Sequence, residues 1–333
     1  MRIKADHLDD ALGALLRKLL RDGTRTRSNA GAAREFTGVL IEFSNPRGRF
    51  SRTEGRGTLF SCLGETLWYL SGSDRLDHIS YYIPNYRDFI RASKRAVRAP
   101  GAYGPRLVKG GPDSRLGKII DMLKRKNGVS DTRQAVLQIF SHSDLRHNNK
   151  DVPCTTAIQF LPRNGSLHMI TTMRSNDAYR GFPHDVFAFT FLHELVARTL
   201  NARLGRYIHF VGSMHLYDDD EHRARRYLAE GFQEPINMPP MPEGDPWRSV
   251  DWLLDAEQAI RLRQMEPQPE AIDPYWLDLA RLLRIKRLSD QGDLRSLIRE
   301  KKDMSCPEYD AFIRGRQRAV ERRTGDQDEL PGL

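Results

Sequence analysis

A few side chains in this sequence stand where chemistry is as plausible as packing. One of its three cysteines, Cys154, lies in KDVPCTTAIQF, just after a proline and before an alternating apolar run. A thiol at the mouth of a strand is either a small apolar core group or, once ionised, a nucleophile, and the local sequence leaves both open. Glu65 interrupts the apolar CLGETLWYL. A carboxylate is costly to bury without partners, and burial should raise its pKa, which suits general acid and base work. Arg174 opens an Arg-Ser-Asn-Asp run; by itself it is a surface arginine. His215 and Tyr217 are, by themselves, two polar residues ending a strand. Asp185 precedes an apolar helical run and, as a preferred N-cap type, is placed to cap a helix beginning near Val186.

Composition bounds the possibilities. The chain has 333 residues, 39% hydrophobic and 29% charged, which fits a globular protein with a sizeable core in one large domain or two ordinary ones. No apolar run approaches the ~20 residues of a bilayer span, and the charged, helical N-terminus lacks a signal peptide's apolar stretch; a cytoplasmic location is expected. Cys62, Cys154 and Cys306 are odd in number and far apart, so neither a disulfide framework nor a CxxC metal pair is expected. The net charge of +9, dominated by Arg, suits anionic partners such as nucleic acid, phosphorylated metabolites or polyglutamylated cofactors; a solvated basic surface explains most of it equally well.

The elements that must hold these residues follow from periodicity. Residues 7–21 carry Leu8, Ala11, Leu12, Leu15, Leu16 and Leu19 on one helical face. Residues 34–49 alternate as a strand, and 59–74 form a buried helix stopped by Gly72. Residues 80–112 read as an ordered loop region and 114–126 as a helix. Three strand-like stretches follow at 132–140, 155–175 and 206–217, the second a hairpin turning at Asn164-Gly165. Residues 185–205 read as a long apolar helix ended by Gly205. Five prolines in 235–248 suggest a linker or rim, short amphipathic helices follow, and 321–333 reads as a disordered tail. The mixture predicts an α/β (α+β) fold, with a catalytic domain over 1–235 and a helical extension over 236–320 packed on it.

The order of motifs is specific. Pro153-Cys154, then Arg174-Ser175-Asn176-Asp177, then Gly181-Phe182-Pro183 leading into a helix, then His215-x-Tyr217 resembles the thymidylate synthase family. Upstream, GETLWYLSG (64–72), GAYGPRL (101–107) and TRQAVLQIF (132–140) resemble its glutamate helix, Tyr-Gly segment and phosphate-binding strand. The resemblance covers about residues 20–230; the last hundred residues and the family's closing tail are not matched. It implies a three-layer fold with a large mixed sheet, a homodimer, a pyrimidine nucleotide as substrate and 5,10-methylenetetrahydrofolate as one-carbon donor. It implies that Cys154 adds to pyrimidine C6, turning C5 into a nucleophile, with Arg174 beside both the thiol and the phosphate and promoting partial ionisation of the thiol. Ser175, Arg133 and Arg27 (or Arg25 in its place) become phosphate ligands, with Arg133 reaching across the dimer interface; Gln134 stands where a second arginine is usual. His215 and Tyr217 would hold the sugar, Asp177 and Gly181 the folate, and Glu65 with Tyr103 would manage water and protons.

In thymidylate synthases the Gly-x-Pro turn is followed by Phe-Asn, and that Asn pairs with the uracil edge. Here the pair is His184-Asp185. An ionised carboxylate only accepts hydrogen bonds, so it would repel uracil O4 and accept from the cytosine 4-amino group. Asp at this position resembles the cytidylate hydroxymethylases of phages and nucleoside-antibiotic pathways. Thr155, Met173 and the Trp-free ISYYIPNYRDF (79–89) also depart from the synthases, the last by removing aromatic shielding from water. The resemblance implies conversion of CMP or dCMP to its 5-hydroxymethyl derivative. The alternatives are a thymidylate synthase methylating dUMP and a non-catalytic nucleotide- or RNA-binding homologue.

Overall fold

The structure is a computed structural model and describes residues 1–28, 31–51, 58–125, 128–146, 150–232 and 234–328. Its strands are β1 (Arg2–Ala5), β2 (Thr24–Ser28), β3 (Gly31–Phe43), β4 (Lys124–Arg125), β5 (Gly128–Val129), β6 (Val136–Gln138), β7 (Thr155–Arg163), β8 (Ser166–Asp177) and β9 (Arg203–Tyr217). Its helices are α1 (Leu8–Asp22), α2 (Leu59–Leu70), α3 (Leu76–Tyr82), α4 (Tyr86–Phe89), α5 (Gly104–Leu107), α6 (Arg115–Leu123), α7 (Phe182–Thr199), α8 (Glu221–Ala229), α9 (Trp247–Leu262), α10 (Pro274–Gln291), α11 (Leu294–Lys302) and α12 (Asp310–Asp328).

The alternating stretches form one mixed seven-stranded sheet in the order β1-β3-β9-β8-β7-β6, with β2 also on β3; β4 and β5 form a separate short hairpin. The β1–β3 and β8–β9 pairs are parallel and the rest antiparallel. The β7–β8 turn falls at Asn164-Gly165, where both residues have positive φ (50° and 73°), as a two-residue hairpin of this type requires.

A change of parity crosses the sheet. The buried residues of β9 are Tyr207, His209 and Val211, then Met214 and Leu216; those of β8 include Met169, Thr171 and Met173, then Asn176. The shift lies at the row of Gly38 and Gly212. Gly38 has φ +65, and a Cβ on Gly212 would come 2.9 Å from the Arg174 carbonyl oxygen. A one-residue shift sends every later side chain to the other face, so it sets the aim of Asn176 and its neighbours at the ends of β8 and β9.

Several boundaries depart from the periodicity. α7 starts at Phe182, not near Val186, and ends at Thr199, with Asn201 at φ 50° providing the left-handed stop. Gly205 lies instead in β9, where a Cβ would come 2.4 Å from the Leu167 carbonyl oxygen. Only Val136–Gln138 of 132–140 is strand. The proline-rich 235–248 is tied down: Met238 and Met241 are buried, and the Met238 amide donates to Arg47 O at 2.8 Å. α12 continues to Asp328 into the stretch expected as tail; residues 329–333 lie outside the described ones.

One hydrophobic core includes residues from α1 through α12. Phe50 packs on Phe187 of α7 and on Tyr309 and Phe312 near the C-terminus, and Phe191 meets Trp276 of α10. Within this core Arg49 pairs with Glu194, whose other oxygen accepts from the Met241 amide at 3.0 Å. Deleting one member of a fully buried pair leaves an uncompensated charge. Glu194→Ala is therefore expected to cost about 3–5 kcal/mol, read as a lowered urea midpoint; a loss under about 1 kcal/mol would show that this pair does not tie the rim segment to α7.

Candidate active site

The ends of β8 and β9, the start of α7, the middle of α2, Tyr103 before α5 and the segment leading to Cys154 converge on one cavity of about 510 Å³. Of the residues expected from sequence, Glu65, Tyr103, Cys154, Arg174, Ser175, Asp177, Gly181, Asp185, His215 and Tyr217 all line it. Arg27 and Arg133 do not: both are exposed, Arg27 on β2 and Arg133 before β6. Arg25 pairs with Asp218 at 2.5 Å and lies outside the cavity as well.

Cys154 is clamped through its backbone. Its carbonyl accepts from the Arg174 amide at 2.8 Å, and the next amide, Thr155 N, donates to the Tyr103 hydroxyl at 3.1 Å. The Arg174 guanidinium donates to Pro153 O at 2.9 Å and to Val152 O at 2.8 Å, which holds its charge beside the thiol. Burial nonetheless pushes the thiol pKa up; Arg174 pulls it down, and Asp185, Asp151 and Asp177 raise it further. Arg174 thus acts on the thiol in the expected direction, while burial and the neighbouring carboxyl groups act against it.

Asp185 is not an N-cap. It sits in the first turn of α7, its amide donates to Gly181 O at 2.9 Å, and its Oδ2 accepts from Asn176 Nδ2 at 2.8 Å. Gly181 is needed here because a Cβ would lie 2.9 Å from Asn176 Nδ2. Burial, then the charge of Glu65, raises the Asp185 pKa to about 8, against the lowering effects of Asn176 and His184. At neutral pH this carboxyl is mostly protonated.

Glu65 has the partners its burial demands. Oε1 accepts from Tyr69 Oη at 2.8 Å, and Oε2 meets His184 Nδ1 at 2.6 Å. Burial opposes a charge on His184, but Cys62 and the Glu65 carboxylate outweigh it, and the pKa is raised to about 10. Asp177 Oδ1 accepts from the Tyr179 and Arg180 amides, each at 2.7 Å, whereas its buried Oδ2 has no hydrogen-bond partner among the described residues. Burial raises its pKa too. His215 and Tyr217 stand edge to face, 4.8 Å between centroids.

Two residues of this site were not singled out from sequence. His184 follows from a rule that was available, since a glutamate inside an apolar helix needs a cation or donors. Asn176 lies inside the Arg-Ser-Asn-Asp motif, but its inward aim depends on the parity shift, which alternation alone does not reveal.

The electrostatics set an expectation for Cys154. Its alkylation by iodoacetamide, followed by peptide mass spectrometry, should begin at higher pH than that of a free cysteine, and Arg174→Ala should move the profile higher still. An unmoved profile in the variant would show that Arg174 does not act on the thiol.

Against known proteins, the family model described as thymidylate synthase matches residues 12–242. The chain is 29% identical over 217 residues to a deoxyuridylate hydroxymethyltransferase of Bacillus phage SP01, covering 62% of this chain and 56% of that protein. It is 30% identical over 221 residues to one of Pseudomonas phage M6 (65% and 62%) and 28% identical over 201 residues to one of Delftia phage PhiW-14 (56% and 54%). The chain thus matches little more than half the length of these relatives. With a family match over most of its length and the family's motifs gathered around one cavity, this chain belongs to the thymidylate synthase family.

Proposed function

We propose that this protein converts a cytidylate, CMP or dCMP, to its 5-hydroxymethyl derivative with 5,10-methylenetetrahydrofolate as one-carbon donor. The observation that carries the reading is a carboxyl, Asp185, at the family's base-reading position in the same cavity as Cys154. Asn176 occupies one Asp185 oxygen; the other has no hydrogen-bond partner among the described residues and is left for the base. The orphaned Asp177 Oδ2 fits a ligand with N–H donors, as a pterin has.

In the proposed reaction the Cys154 thiol loses its proton and its sulfur bonds to C6. Asp185, protonated near neutrality, gives a proton to cytosine N3 as the ring's electron pair shifts, leaving C5 nucleophilic. The folate, when bound, would supply one carbon at the oxidation level of formaldehyde. C5 bonds to that carbon as its bonds to the folate nitrogens break, and the C5 proton and one proton of water end on the departing tetrahydrofolate; the water's hydroxyl adds to the exocyclic carbon as the S–C6 bond breaks, with the N3 proton returned to Asp185 and the thiol regaining its own. No hydride moves. Glu65, held by Tyr69 and His184, orders the water. Arg174 and Ser175 hold the phosphate, and His215 and Tyr217 hold the sugar. Arg133 acts from the second subunit of a homodimer, and the location is cytoplasmic.

A second reading, hydroxymethylation of dUMP, is favoured by the names of the phage relatives and by the protonated state of Asp185. A carboxylic acid both donates and accepts, and so can face uracil as an amide does.

Incubation with CMP, dCMP and dUMP plus the folate, with products weighed, tests the proposal. A gain of CH2O on a cytidylate and release of tetrahydrofolate are expected; a gain of CH2 on dUMP with dihydrofolate would overturn it. Asp185→Asn should shift the kcat/KM ratio toward uracil by about ten- to a hundredfold, the scale of one side-chain pairing with a base edge. Base preference should also depend on pH. Below about 8 the Asp185 acid can donate to O4 and tolerates uracil; above it the carboxylate repels O4 and accepts from the cytosine amino group. Read as relative binding affinity, because turnover of a cytidylate also needs the acid that protonates N3, the cytosine-to-uracil ratio should therefore rise about tenfold from pH 6.5 to 9, and a ratio that stays flat would show that Asp185 ionisation does not read the base.

A further inference from the structure

Behind Asp185 runs a buried line of hydrogen bonds. Tyr207 Oη meets His209 Nδ1, His209 Nε2 meets Asn176 Oδ1, and Asn176 Nδ2 meets Asp185 Oδ2, each at 2.8 Å. Tyr207 and His209 are fully buried on β9 and do not line the cavity. Phe182, the first residue of α7, packs edge-on against the His209 ring at 5.3 Å, which restrains the ring plane.

With the Asn176 amide nitrogen placed at Asp185, these bonds have one direction. Burial lowers the His209 pKa to about 3, so the ring is neutral and carries one N–H. Asn176 Oδ1 can only accept, so the hydrogen is on Nε2. Nδ1 is then bare and accepts from the Tyr207 hydroxyl. The Asn176 amide, fixed through its oxygen, must turn its N–H toward Asp185 Oδ2. Were the amide reversed, Asp185 would face an acceptor and would have to place its proton on Oδ2, away from the base.

We propose that Tyr207 and His209 are positioning residues for base selection: by locking the Asn176 amide they fix which Asp185 oxygen, and in which donor or acceptor form, meets the pyrimidine edge. The inference rests on Asp185 being the base-facing group, but not on which base is preferred. The other groups facing Asp185 are Glu65, His184, Asp177, Cys154, Tyr69 and Tyr103. None of these supplies a hydrogen bond to Asp185 Oδ2; among the described residues only Asn176 does.

The test compares His209→Leu, which removes the N–H, with His209→Gln, whose amide can replace it, by the kcat/KM ratio between cytidine and uridine monophosphate nucleotides. His209→Leu should reduce the wild-type preference, whichever base it favours, about tenfold, the scale of one misdirected buried hydrogen bond. It should also move the pH midpoint of that preference upward, because the Asn176 donor that favours the Asp185 carboxylate is lost. His209→Gln should restore both. Equal changes in the two variants would mark a packing effect and overturn the proposal, as would an unchanged ratio in His209→Leu. Should the Leu variant not fold, Tyr207→Phe, which removes a single oxygen, replaces it: a ratio lowered about threefold is expected, and an unchanged one overturns the proposal. Asp185→Asn run alongside separates the failures. If its ratio does not move, the reading of Asp185 fails; if it moves while His209→Leu does not, only the positioning role fails.

Discussion

Gathering buried carboxyl groups, three of them Asp185, Glu65 and Asp177, around one cavity is the constraint on which the rest of this site depends. Asp185, Glu65 and Asp177 all line the same space, and like charges in low dielectric raise one another's cost of ionisation. Each is relieved differently. Glu65 is paired with His184 and bonded by Tyr69. Asp177 takes two backbone amides on one oxygen. Asp185 receives one amide N–H from Asn176 and keeps a proton near neutrality. The differing relief separates the roles: a paired carboxylate that can order water, a half-satisfied one that can receive ligand N–H groups, and an acid that can give up a proton.

The scaffold makes that arrangement possible through two backbone devices. The parity shift at Gly38 and Gly212 turns the ends of β8 and β9, so that Asn176 faces α7 while Arg174 lies beside Cys154. The start of α7 at Phe182, four residues earlier than the apolar pattern implies, puts Asp185 inside the first turn. A helix start favours negative charge, yet burial and Glu65 prevail for Asp185, so the helix lends it position more than ionisation.

How much of this was legible in the sequence follows from what each signal measures. Ten of the twelve site residues expected from motif order line the cavity, because residue types at fixed spacing carry the demands of chemistry. Alternation located the long strands and the Asn164-Gly165 turn, since both are local properties. The ends of α7 were misjudged because Pro183 and Phe182 read as a turn, although proline is well suited to the first turn of a helix, and because Asn201 took the left-handed stop that Gly205 seemed to offer. The opposing pull of burial on Cys154 was not foreseen, because a nearby arginine is visible in a motif, whereas the depth of burial is not. Arg27 and Arg133 illustrate a different limit: both are exposed and lie outside the cavity, because a motif names a residue type without saying where the fold will turn its side chain.

The choice between a methyl and a hydroxymethyl product, in the proposed reaction, is a competition for one exocyclic carbon. Reduction needs that carbon sealed from water beside a hydride donor; hydration needs only an ordered water and a route for its proton. Here the wall formed by Ile83, Tyr86 and Phe89 contains no tryptophan, and Phe89 is about half exposed. Glu65 on α2 is held at both oxygens, one by a histidine that remains charged across the neutral range. A carboxylate fixed by a protonated imidazole can accept a water's proton and pass one on without moving. In the proposed reaction His184 thus binds water management to base reading, because the adjacent residue on α7 is Asp185: the turn that carries the proton-rich partner of Glu65 would also carry the acid facing the pyrimidine.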